Sequence, residues 1–112
     1  MKIYRLQDSD GLGPYCNFRL MECVTDKHNK DLDKWPSAQN DVVNFDYSID
    51  LLGCTSITKL EEWFGKVTIR KAKKLGFYIT CYEIDKCYVK FSFSGKQVAF
   101  DPELAEREYK VK

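Results

Sequence analysis

The chain has 112 residues, 18 Lys and Arg against 17 Asp and Glu, a formal charge of +1, and 44% apolar residues. That length fits one domain, and an aromatic content of 14% supplies enough large side chains for one core, which excludes disorder as a description of the whole chain. A charge near zero argues against a protein that works mainly as a nucleic-acid polycation or as an acidic mimic of DNA.

Residues 2–7 alternate in character, which predicts a strand with Tyr4 and Leu6 toward the core and Ile3 and Arg5 on the opposite face. Turn formers crowd residues 8–14, with Gly11, Gly13 and Pro14 ending that strand. Residues 15–24 suit a short helix or helical turn. Residues 25–40, rich in Asp, Lys and Asn, read as an exposed loop, with His28 solvated and Trp35 as its prominent aromatic. Residues 41–52 set Val42, Phe45, Ile49 and Leu52 at helical spacing, a helix with Asp41 as cap and Gly53 as stop.

The strongest helix signal follows. Ser56 precedes a stripe of Ile57, Leu60, Trp63 and Phe64, so Ser56 is expected as the N-cap and Gly65 as the breaker. Residues 68–75 predict a second helix, with Ile69, Ala72 and Leu75 inward, a basic outer surface and Gly76 at its end. The period then changes to two over residues 77–84 and 87–93, and Ser94-Gly95 turns the chain so that residues 96–100 return as a partner strand. Asp101 and Pro102 open a predicted terminal helix over residues 104–109. The order implies an α+β fold: a single domain over residues 1–112, one mainly antiparallel sheet packed against two or three helices.

Conventional catalytic constellations are scarce. Cys16, Cys23, Cys54, Cys81 and Cys87 form no CxxC pair, and an odd number cannot all pair within one chain, so reduced thiols are expected. With His28 as the one histidine, neither a metal site nor a Cys–His dyad is expected. No segment reaches the roughly 18 apolar residues of a membrane span, and residues 1–5 lack the apolar run of a signal peptide, so the reading is a soluble cytoplasmic protein. Gly11-Leu12-Gly13 lacks the pattern of a phosphate-binding loop. Two surface features stand out. Lys66, Arg70, Lys71, Lys73 and Lys74 form a basic helix over residues 66–74 that suits weak nucleic-acid binding. The aromatic surplus suits a grip on another protein, with Tyr15, Trp35, Lys71 and Lys74 as candidate partner-binding residues.

The pattern Tyr4-Arg5-x-x-Asp8-x-x-Gly11-x-Gly13-Pro14-Tyr15, then Ser56-x-x-x-Leu60-x-x-Trp63-Phe64, Leu75-Gly76-Phe77-x-Ile79-x-x-Tyr82-Glu83 and Gln97-Val98-x-Phe100, resembles small accessory proteins carried by bacteriophages and prophages. The resemblance implies a protein of the bacterial host's cytoplasm that binds and inhibits a host or antiviral-defence protein complex, as anti-CRISPR inhibitors do, with no cofactor. A more distant resemblance is to ADP-ribosyltransferase folds. It implies NAD as ligand, Arg5 at its phosphates or ribose, Ser56 near the nicotinamide ribose and Gln97 at the third position. Gln97 departs from that pattern because an amide cannot supply the carboxylate that stabilises an oxocarbenium-like transition state.

Overall fold

A computed structural model describes residues 1–16, 28 and 31–112. The helix expected over residues 15–24 falls largely outside the described residues, as does the first part of the 25–40 loop.

The fold is α+β, and its strands form two three-stranded antiparallel sheets instead of the single sheet expected. In the first, β3 (Tyr78–Glu83) lies between β1 (Lys2–Gln7) and β6 (Arg107–Lys110); in the second, β5 (Val98–Phe100) lies between β2 (Leu51–Gly53) and β4 (Lys90–Phe91). The sheets meet where Tyr4 and Cys54 exchange both backbone hydrogen bonds, at 2.7 and 2.8 Å. Across this seam the strands run β4, β5, β2, β1, β3, β6. The helices are α1 (Ala38–Asp41), α2 (Ile57–Phe64) and α3 (Lys66–Lys74).

Two apolar clusters cover opposite faces of β1 and β3. Leu6 and Ile79 pack with Leu60, Phe64, Ile69 and Ala72 of α2 and α3, whereas Ile3 and Tyr82 pack with Val98 and Phe100 of the second sheet. Ile3 is therefore fully buried, not on an open face as its alternation suggested, because the second sheet folds over that side of β1. The bridge demands a glycine. A Cβ at Gly53 would lie 2.6 Å from Ile3 Cγ2 and 2.9 Å from the Tyr4 carbonyl oxygen.

α2 forms as its sequence dictates: Ser56 Oγ accepts the Lys59 N–H at 3.1 Å, and Gly65, at φ 85°, ends the helix. α3 follows at once, starting two residues before the expected Thr68. Elsewhere local pattern yields to other bonds. The helix expected over residues 41–52 does not form; α1 ends at Asp41, Val42 bridges to Ser92, and only residues 51–53 regain regular structure, as β2. Asp46 Oδ1 accepts from the Ser48 N–H and hydroxyl while Asp50 Oδ2 accepts the Asp46 N–H, bonds that compete with a helical ladder. The terminal helix over residues 104–109 is replaced by a single turn, Pro102–Leu104, capped by Asp101 as anticipated, and by β6. β3 otherwise has an uncovered edge, and pairing of β6 satisfies it. The strand over residues 87–93 shrinks to β4 because Asp85 caps a turn at Lys86–Tyr88.

Candidate functional site

The seam opens into a cleft of about 480 Å³, a volume within the range of small-molecule sites. Past the Tyr4–Cys54 bridge β1 and β2 share no further ladder, and Arg5 takes up the vacated bonding. Its Nη1 donates to the Leu52 carbonyl at 3.0 Å, Nη2 to the Gly11 carbonyl at 3.2 Å and Nε to Gln7 Oε1 at 3.1 Å. The glycine-rich turn exists to wrap this guanidinium. Gly11 holds φ 81°, and a Cβ on Gly13 would stand 3.3 Å from Arg5 Nη2. Arg5 thus forms part of the cleft wall, held as a rigid cationic fork.

Facing it is an aromatic wall of Tyr15, His28, Trp35, Trp63 and Phe64. The His28 ring stacks on Trp35 with centroids 4.6 Å apart and meets Trp63 edge-on. Hydrogen bonds lock the rings: Trp63 Nε1–H donates to Tyr15 Oη at 3.0 Å, Tyr15 Oη bonds His28 Nδ1, and Trp35 Nε1–H donates to the Trp63 carbonyl at 2.7 Å. His28 Nε2 lies 3.1 Å from that same carbonyl, so a neutral imidazole with its proton on Nε2 satisfies the circuit. Burial pushes the Tyr15 phenol well above its ordinary pKa, against the opposing hydrogen bond from Trp63. The residue as a whole is 37% exposed and lines the cleft.

The remaining wall is polar at two points. Gln97 is buried, and its Nε2 donates to the Pro36 carbonyl and to Asp41 Oδ2, both at 3.0 Å. Asp50 is buried beside the rim loop that carries Phe45 and Tyr47, paired with Lys90 at 2.6 Å. Cys54 also lines the cleft. Burial pushes its thiol up to about 12, which leaves it protonated and unreactive near neutrality.

The structure therefore brings together Arg5, Tyr15, Trp35 and Gln97, and keeps Ser56, Lys71 and Lys74 apart from them. Ser56 spends its hydroxyl on the α2 cap, and Lys71 and Lys74 lie exposed on α3. Two expectations of exposure are corrected. Residues 31–34 of the loop are open, but Trp35 is only 8% exposed and His28 only 5%, because each finds hydrogen-bond and ring partners on α2. Sequence reasoning missed Trp63, Tyr47 and Asp50 as cleft residues. Trp63 sits in a helical stripe and signals only core packing. Among the described residues no group of three or more His, Cys, Asp or Glu is placed to hold a metal ion, and no helix is long and apolar enough to cross a membrane.

Over residues 1–112 the sequence matches the family model described as bacteriophage T4 Y00F protein. No curated protein and no solved structure matches it.

Proposed function

The chain belongs to the bacteriophage T4 Y00F family, and from that premise and the cleft we propose that it is a phage accessory protein that binds a nucleotide of the NAD and ADP-ribose class without transferring it. One observation carries the reading: a cleft of ligand size with locked aromatic rings on one wall and a fixed arginine fork on the other. The more open rings, Tyr15 and the rim's Phe45 and Tyr47, offer faces on which a base stacks, worth about 1–3 kcal/mol per base. The fixed positive charge of Arg5, whose N–H groups already serve Gln7, Leu52 and Gly11, attracts the phosphates between two nucleosides. Of the three residues that the distant resemblance to ADP-ribosyltransferase folds assigns to the nucleotide, Arg5 and Gln97 border the cavity and Ser56 does not. Transfer is a different matter. Gln97 lacks a carboxylate, and its amide protons are engaged in holding Pro36 and Asp41, so the residue serves as a clamp.

Calorimetric titration with NAD and with ADP-ribose tests this. Saturable heat is expected for both, and it should fall in Tyr47→Ala, which removes a rim ring that is 70% exposed and tied to the fold by little besides Phe45. No heat at millimolar ligand would overturn the binding reading, and modification of an acceptor protein from NAD would overturn the restriction to binding.

Inhibition of a host or antiviral-defence protein complex by direct contact is a second reading. It is supported by the exposure of Tyr88, Phe91 and Phe93 along β4 and its flanks, Phe93 at 79%. Aromatic side chains left in water at one edge of a sheet suit an interface. A cleft that takes up no nucleotide would leave this surface as the working part of the molecule.

A further inference from the structure

We infer that Asp50 is the specificity-determining residue of the cleft, recognising the ribose diol of the adenosine half of the ligand; the inference rests on the nucleotide-binding reading above. Asp50 stands just before β2, and its side chain is 2% exposed. One carboxylate oxygen is fully occupied: Oδ2 accepts from Lys90 Nζ at 2.6 Å and from the Asp46 N–H at 3.0 Å. The other, Oδ1, accepts no hydrogen bond from any described residue, although an ionised carboxylate has sites for about four. Oδ1 is not among the atoms shut away from solvent, so it takes its donors from whatever occupies the space beside it. In a residue that lines a ligand-sized cleft, the bound molecule is the natural supplier.

The chemistry of that donor is narrow. A phosphate or carboxylate would be repelled, so the group must carry O–H or N–H. The position next to Asp50 selects between them. Phe45 and Tyr47 lie in the same rim loop, edge to face with centroids 4.7 Å apart, and both line the cleft. With a base on these rings, the sugar is the part of the nucleotide assigned to Asp50, at the end of the same loop. A vicinal diol supplies two O–H donors, and one carboxylate oxygen has two lone pairs to receive them. The loop is also fixed before any ligand arrives, since Lys90 Nζ bonds the Asn44 carbonyl at 2.7 Å as well as Asp50, and so spares the ligand much of the cost of ordering it.

The test compares ADP with 2′,3′-dideoxy-ADP by calorimetry on the full chain and on Asp50→Asn. Asn keeps one oxygen for Lys90 and Asp46 and converts the open acceptor into an N–H donor. The parent protein should bind ADP about tenfold or more tightly than the dideoxy nucleotide, the scale of a hydrogen bond to an ionised group. Asp50→Asn should bind the two alike. Equal binding of both by the parent would overturn the inference and leave the nucleotide reading standing, and so would a variant that folds and keeps the parent's preference. Failure of the parent to take up either at millimolar concentration would overturn both. The parent comparison decides the matter even if the variant does not fold.

Discussion

Asp41 carries a buried negative charge where α1 meets the turn between β4 and β5. Its Oδ1 accepts the Ser94 N–H at 2.8 Å, its Oδ2 accepts the Ser94 hydroxyl at 2.6 Å and Gln97 Nε2 at 3.0 Å, and its carbonyl accepts the Phe93 N–H. Burial alone would raise the carboxyl's pKa; the hydrogen bonds from Ser94, Gln97 and Ser92 outweigh it and hold the group below the ordinary carboxylate range. A group whose pKa is lowered by folding adds stability that is complete above the unfolded value of about 4 and is lost as the pH falls through the folded value. Thermal unfolding from neutral to acid pH is therefore expected to show a steeper acid loss for the parent than for Asp41→Asn, with the variant less stable at neutral pH. Parallel pH curves would contradict the assignment. The same network gives Gln97 a structural task beside its place on the cleft wall: its amide protons bind Pro36 and Asp41, partners that only the fold reveals. Trp35 carries the same lesson: the polar composition around it describes residues 31–34 correctly, while its own burial depends on Trp63, 28 positions away.

Among the elements, those that close on themselves were legible and those that need a neighbour were not. α2 carries its own cap, both helices carry their breakers and apolar stripes locally, and they form where the sequence puts them to within two positions. β6 has no such autonomy. Residues 107–110, Arg-Glu-Tyr-Lys, fit the end of a helix as well as a strand, and the open edge of β3 decides. α3 also presents Arg70, Lys71, Lys73 and Lys74 to solvent. If that surface holds nucleic acid, retention at low salt will depend on counterion release, and Lys71→Glu with Lys74→Glu should abolish it and lower the salt slope by about one for each lost phosphate contact. Filter retention of duplex DNA over a salt series measures this, and undiminished retention by the double variant would dismiss the patch. Both positions are exposed but lie in the last turn of α3, where a basic side chain suits the helix dipole, so a modestly lowered melting temperature is expected alongside the lost retention.

At the scale of the whole molecule, the cleft follows from the split between the sheets. β1 pairs along its length within one sheet and joins the backbone ladder of the other through one bridge, and the gap beyond that bridge is walled by Arg5, the rim loop and the rings packed onto α2. Arg5, Tyr15 and Trp35 stand out singly in the sequence, but their shared cavity does not. The tyrosines and tryptophans were visible as a surplus, but their convergence depends on a strand order that no local pattern encodes. The same convergence provides a direct probe, because the chain has two tryptophans and both line the cleft. In a ¹H–¹⁵N spectrum, the two indole N–H resonances report on the site without interference. Titration with ADP-ribose should move the Trp35 and Trp63 indole signals together, saturably, and leave the backbone amides of α3 in place. Indole signals that stay fixed at millimolar ADP-ribose, or shifts confined to α3, would contradict a nucleotide-binding cleft.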